Sequence, residues 1–203
     1  VFLRVLLRSI AIWALMAGAS LGQALLEPPY GLKWGDSPEK LIIWASRHSL
    51  DVNILLPGDQ PALRVVKITS RTGTLPDATE SAIEGRFVSG RLFEITVHYD
   101  DKAATADTME TRFQGLKQQL TMTYGALTAN QQARSTEDRF TTRTVSFHRE
   151  TVKGLFLLLA FTEVEDLARQ SRAARYSVIY RNDNLRKEVE QANKSTPAPP
   201  EGP

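Results

Sequence analysis

The sequence predicts an α+β fold: two helices packed on an antiparallel sheet, readable as two αβ repeats side by side. Three observations carry that prediction. Phe93, Ile95, Val97 and Tyr99 alternate with polar residues, the two-residue period of a strand with one buried and one wet face. Met109, Phe113, Leu116, Leu120 and Tyr124 recur at four- and three-residue steps, a helical stripe suited to lie on a sheet. Helix-like and extended segments also succeed one another in the same order twice, helix then strands.

Taken in order, the chain opens with Arg4 and Arg8, an apolar stretch from Ile10 to Leu21, and Gly22-Gln23-Ala24, small residues at the −3 and −1 positions of a cleavage site. This reads as a secretory signal peptide over 1–24. The apolar stretch of about 12 residues is short of the roughly 20 that a spanning helix needs, and Pro28 and Pro29 break the segment from Leu25 to Tyr30, so no membrane span is expected in the mature chain. Val1 reads as an initiator codon translated literally, which suggests a bacterial reading frame. The expected location is the periplasm or the outside of the cell.

The whole chain carries 25 basic and 23 acidic side chains; cleavage after Ala24 removes Arg4 and Arg8 and no acid, leaving a formally neutral protein. Without a large net field nucleic-acid binding is not expected, and Arg169, Arg172 and Arg175 read as solvated loop charges. The absence of cysteine excludes disulfides, thiolate chemistry and Cys-ligated zinc. Stability must come from a core, and residues 25–182 are enough for one.

Ser37-Pro38-Glu39 reads as a helix start, with serine as cap, proline at the first position and glutamate at the positive end of the dipole. The helix is expected to run to about Ser49, with Leu41, Trp44, Ala45 and His48 on one face. Strands are expected near 52–56, 63–70, 82–88 and 91–100, the last two joined by a tight turn at Val88-Ser89-Gly90-Arg91. A second helix over 106–124 is capped by Thr105 and stopped by Gly125. The polar stretch 126–139 reads as a loop, and strands are expected again near 140–149, 154–163 and 174–181. The apolar run Leu155–Phe161 reads as a central strand covered on both faces. These segments divide into possible halves, 30–101 and 105–182. The remainder, 183–203, reads as a charged tail that starts with a short stretch able to be helical and ends in a Pro-rich segment expected to be disordered.

The opening Tyr30-Gly31-Leu32-Lys33-Trp34-Gly35-Asp36-Ser37-Pro38-Glu39-Lys40-Leu41, together with the helix ending at Leu120 through Tyr124-Gly125, resembles small exported bacterial domains of the beta-lactamase-inhibitor-like and outer-membrane-assembly-lipoprotein-like kind. That resemblance implies a helix-plus-antiparallel-sheet fold that acts through protein contacts. The chain departs from the lipoprotein members in lacking their acylated cysteine.

Catalytic motifs are missing: there is no G-x-S-x-G elbow, phosphate-cradling glycine loop, H-E-x-x-H or calcium-loop pattern. His48 suits a helix end, and His98 and His148 suit wet strand faces. A two-histidine metal site with Asp100 or Asp101 would require the two halves to converge. Glu163, Glu165 and Asp166 could do acid–base work in a cleft but read as a solvated turn. No catalytic residue, metal ligand or cofactor is expected. Tyr30, Trp34 and Trp44 concentrate aromatic surface, either as core or as anchors for a partner. The sequence therefore points to a non-enzymatic envelope protein that binds a protein or peptide on its sheet face or aromatic edge. Two alternatives stay open: a small molecule or lipid held between helix and sheet beside Met109 and Phe113, and an enzyme of unrecognised pattern.

Overall fold

A computed structural model describes residues 25–58, 60, 62–70, 75 and 80–195. The expected signal segment 1–24 and the Pro-rich end 196–203 lie outside the described residues. Helix α1 spans Pro38–Arg47, and strands β1 (Asp51–Leu55), β2 (Leu63–Thr69), β3 (Ala82–Val88) and β4 (Arg91–Tyr99) come after it. Helix α2 spans Ala106–Tyr124 and precedes β5 (Thr128–Glu137), β6 (Phe140–Val152), β7 (Leu155–Asp166) and β8 (Ser171–Asn182); α3 covers Asp183–Ser195. All eight strands form one antiparallel sheet in the order β1-β2-β3-β4-β8-β7-β6-β5. Among the described residues no helix is long and apolar enough to cross a membrane.

This corrects the expectation of two helices packed on a sheet. The described chain is mostly strand, a single eight-stranded sheet with three helices. Two elements account for the difference. The stretch 126–139, read as a loop, contains β5, whose ten residues are all exposed. With both faces wet it shows no alternation, and pairing with β6 alone makes it a strand. Of the tail, 183–195 forms α3, because Leu185 and Val189 pack against Val88 and Phe93. Two apolar residues four apart are too thin a period to read from sequence.

The two faces of the sheet are unlike. Against one face pack Leu41 and Ala45 of α1 and Met109, Phe113 and Leu120 of α2, over Val66, Ile68, Ile83, Ile95, Val97, Leu157, Leu159, Phe161 and Val178. Helix α1 lies close because β3 has a glycine beneath it: a Cβ on Gly85 would stand 2.5 Å from Leu41 Cδ2. Pro38 opens α1 as expected, but Ser37 makes no side-chain capping bond. Thr105 does cap α2, accepting from Thr108 N at 3.2 Å. At the turn between β3 and β4, Ser89 and Gly90 both have positive φ, 48° and 74°, the geometry of a two-residue hairpin. Among the described residues the opposite face carries α3 at its Val88/Phe93 corner, with Trp34 and Leu63 packed beside it. So β7 is not covered on both faces: its residues alternate between buried and half-buried along Leu155–Glu163.

The segment before α1 is part of the core. Leu26 and Leu32 are buried, Trp34 Nε1 donates to Leu26 O at 2.8 Å, and Gly35 and Asp36 exchange 2.9 Å main-chain bonds with Leu92.

Candidate functional site

Cross-strand register defines the surface that the helices leave open. Residues opposite one another in an antiparallel pair point to the same side. One row therefore runs Thr96, Ile179, Leu158, His148, and the next His98, Ser177, Ala160, Ser146. Arg175, Thr162 and Thr144 make a third row, and Ala173, Val164 and Thr142 a fourth. Thr96 is buried in its row, Arg175 and Ala173 are exposed, and the others are half-buried. Arg175 carries a full charge; the rest are small, hydroxylated, apolar or imidazole side chains. The result is a patch spread over four adjacent strands, facing away from α1 and α2.

The histidines do not meet. His98 on β4 and His148 on β6 have β8 and β7 between them and lie in adjacent rows, about 16 Å apart at ordinary strand spacing and rise. His98 Nε2 instead lies 3.6 Å from Glu84 on β3. Asp101 is engaged by Arg112 at 2.9 Å. His48 caps the end of α1, its Nδ1 2.8 Å from Trp44 O. Among the described residues no group of three or more His, Asp or Glu could hold a metal ion.

On the helix face a second polar feature forms where α2 begins. Glu163 is 7% exposed. Its Oε2 accepts from Arg143 Nε at 2.8 Å and its Oε1 from Arg172 Nε at 2.6 Å. Arg143 also reaches Glu110 at 2.8 Å, and Arg172 reaches Asp107 at 3.1 Å. Arg172 and Arg175 therefore belong to β8 and not to a loop, and Glu163 sits within β7 and not in a solvated turn. An open cleft of about 400 Å³ adjoins them. Burial works to raise the Glu163 pKa, but the hydrogen bonds from Arg172 and Arg143 outweigh it and hold the carboxyl below the usual range. With both carboxylate oxygens engaged by arginines that also reach α2, the cluster forms an ion-pair brace between α2 and three strands.

The three aromatic candidates do not form one surface. The Tyr30 and Trp44 rings pack at 4.7 Å, tilted by 40°, and line a cleft of about 360 Å³ with Ile43 and Arg47. Tyr30 OH donates to Glu80 Oε1 at 2.8 Å; burial first, and Glu80 second, push its pKa upward. Burial raises Tyr180 likewise, so these phenols stay protonated. Trp34 lies apart and packs against both apolar clusters, the main core and the α3 corner. Trp34→Ala is accordingly expected to destabilise the fold by about 2–3 kcal/mol, seen as a clear fall in melting temperature; an unchanged melt would make Trp34 an anchor and not a strut.

A third cleft, about 680 Å³, opens beside α3 on the uncovered face, with Leu63, Val88 and Phe93 as apolar lining. Its arginines are already paired, Arg86 with Glu94 at 3.3 Å and Arg186 with Glu190 at 3.1 Å. The space that a ligand held between helix and sheet would need lies beneath the second helix, beside Phe113; that side chain is packed against Phe147, Phe161 and Tyr176.

The patch on β4, β8, β7 and β6 was only partly visible in the sequence. Alternation placed His98 on a wet face, whereas the run Leu155–Phe161 concealed that β7 has one. Comparisons with models of protein families, with characterised proteins and with solved structures found no match.

Proposed function

We propose that this chain is an exported, non-enzymatic cell-envelope protein that binds a protein or peptide partner on the open face of its sheet. The observation that supports this reading is the one-sided cover of the sheet: α1 and α2 occupy one face, while the rows through Leu158 and Ala160 stay reachable on the other. Strand spacing and residue rise give the four rows an extent of about 14 by 20 Å. That fits the centre of an interface that buries roughly 800 Å² per partner. Glu84, Arg86 and Arg175 border it as a charged rim, the usual arrangement at such surfaces. The signal-like residues 1–24 support export, and the resemblance of Tyr30–Leu41 to protein-binding exported domains points the same way.

The test is a photo-cross-linking side chain placed at Ser177, with a second variant carrying it at Ala133 on β5. Capture of one protein in the host envelope from Ser177 and not from Ala133 is expected. Ala160→Arg puts a long charged side chain in the middle of the patch without touching the core. It should weaken that capture at least tenfold while melting within a few degrees of the parent. Equal capture from both positions, or capture indifferent to Ala160→Arg, would overturn the reading.

A further inference from the structure

The two outer strands of the sheet are finished differently. Strand β5 is Thr128-Ala-Asn-Gln-Gln-Ala-Arg-Ser-Thr-Glu137, polar along its length, with Arg134 and Glu137 on it. Charged and polar side chains are how proteins keep an edge from pairing with another chain. Strand β1 has no such guard between Val52 and Leu56. Ile54 is 51% exposed, Leu56 69%, and Val52 and Leu55 are exposed as well. Its outer side faces no further strand among the described residues.

We propose that β1 pairs antiparallel with β1 of a second copy of this chain, on a two-fold axis through Asn53. The sequence of the strand is complementary to itself in that register. Val52 lies opposite the second copy's Ile54, and Ile54 opposite its Val52. Both point to the α1 side, since their partners in β2 are the core residues Ile68 and Val66. The two apolar pairs extend the core across the seam. Asn53 meets Asn53 on the open side, where side-chain amides can bond to each other. Of the flanking residues, Leu50 meets Leu56, and the one acidic residue, Asp51, lies opposite Leu55 on the open side, at the ends of the pair and not at its centre. An isologous contact of this kind closes on itself and stops at two copies, because β5 is guarded. The axis stands perpendicular to the sheet, so both open faces end on the same side of a continuous sixteen-stranded sheet.

Five residues a side make a small interface, with a dissociation constant on the order of 10 μM. Sedimentation equilibrium of the chain purified from cells expressing the full sequence is expected to show monomer and dimer over that range. Ile54→Lys should raise the dissociation constant more than tenfold with the melt unchanged, since the side chain is half-exposed, whereas Ala133→Lys on β5 should leave it as it was. The chain has no cysteine, so register can be read independently. Asn53→Cys places two Cβ atoms about 5 Å apart, and oxidation or a short bis-thiol reagent should join the copies, while Asp51→Cys should not be joined. A chain that stays monomeric at 100 μM would overturn the proposal, and so would one that instead takes up an added apolar peptide at β1. A dimer indifferent to Ile54→Lys, or equal joining through both cysteine variants, would do the same.

Discussion

Phe113→Ala is expected to cost about 3–5 kcal/mol and to lower the melting temperature by roughly 10 °C or more, the largest loss from any single truncation proposed for this chain. Phe113 projects from the middle of α2 and is 2% exposed. Its ring centroid lies 5.1 Å from that of Phe161, 6.0 Å from Tyr176 and 6.2 Å from Phe147. One side chain thus joins the helix to β7, β8 and β6. Truncation removes its buried area and leaves a hole ringed by rigid aromatics, which collapse poorly. Phe113→Leu should recover a good part of the loss, because it refills volume without the ring contacts. Chemical denaturation of the three proteins side by side measures this, and a loss under 1 kcal/mol for the alanine variant would show that α2 is not seated as described.

Glu163→Gln is expected to destabilise by about 1–3 kcal/mol, less than the 3–5 of a fully buried pair, because Arg143 and Arg172 remain 34% and 43% exposed and keep part of their hydration. The pH dependence separates this from a packing effect. The folded pKa of Glu163 is lowered, so the unfolded chain binds its proton more readily. The carboxylate therefore contributes stability above the ordinary glutamate value, near 4.3, and that contribution is lost as pH falls through the folded value. The parent should lose stability more steeply than Glu163→Gln in this acid range, and the two curves should converge there. Glu94 is the internal contrast. It is also buried, but burial dominates and raises its pKa in spite of Arg86. Its linkage runs the other way, with any contribution present at low pH and lost as pH rises through the raised value. Glu94→Gln should then cost little or nothing at neutral pH.

The sequence was most legible where a single face is buried. Alternation along Ile95–Tyr99 located β4, although a bulge turns Phe93 to the opposite face and Glu94 and Thr96, read as wet, are buried; the stripe from Met109 to Tyr124 located α2 with its caps, because core contact imposes a period on the residues. Legibility failed where structure depends on a neighbour. Strand β5 has no buried residue to mark it, and α3, whose start the sequence marked as able to be helical, is seated by two side chains against a corner formed by β3 and β4 that the sequence did not reveal. Glu163 gave no local signal of its role, since the arginines that hold it come from β6 and β8. The aromatic cluster read as one candidate surface divides because Trp34 turns toward the α3 corner while Tyr30 and Trp44 stay beside α1. The open patch needed the register of four strands, which no local period encodes.

The order of the strands also governs how the chain assembles. Neighbours within β1–β4 and within β5–β8 are consecutive in sequence, so each meander can zip through local contacts. The seam between them is different: β4 meets β8, pairing Tyr99 with Tyr176 and Glu94 with Arg181, residues about 80 positions apart, and closing so distant a contact is slow. Until it closes, two valine- and isoleucine-bearing strands lie at open edges, the condition in which chains stick to one another. A chain synthesised from its first residue cannot make that seam until its second half is complete. The middle of the finished sheet is therefore the contact that spans the longest stretch of chain.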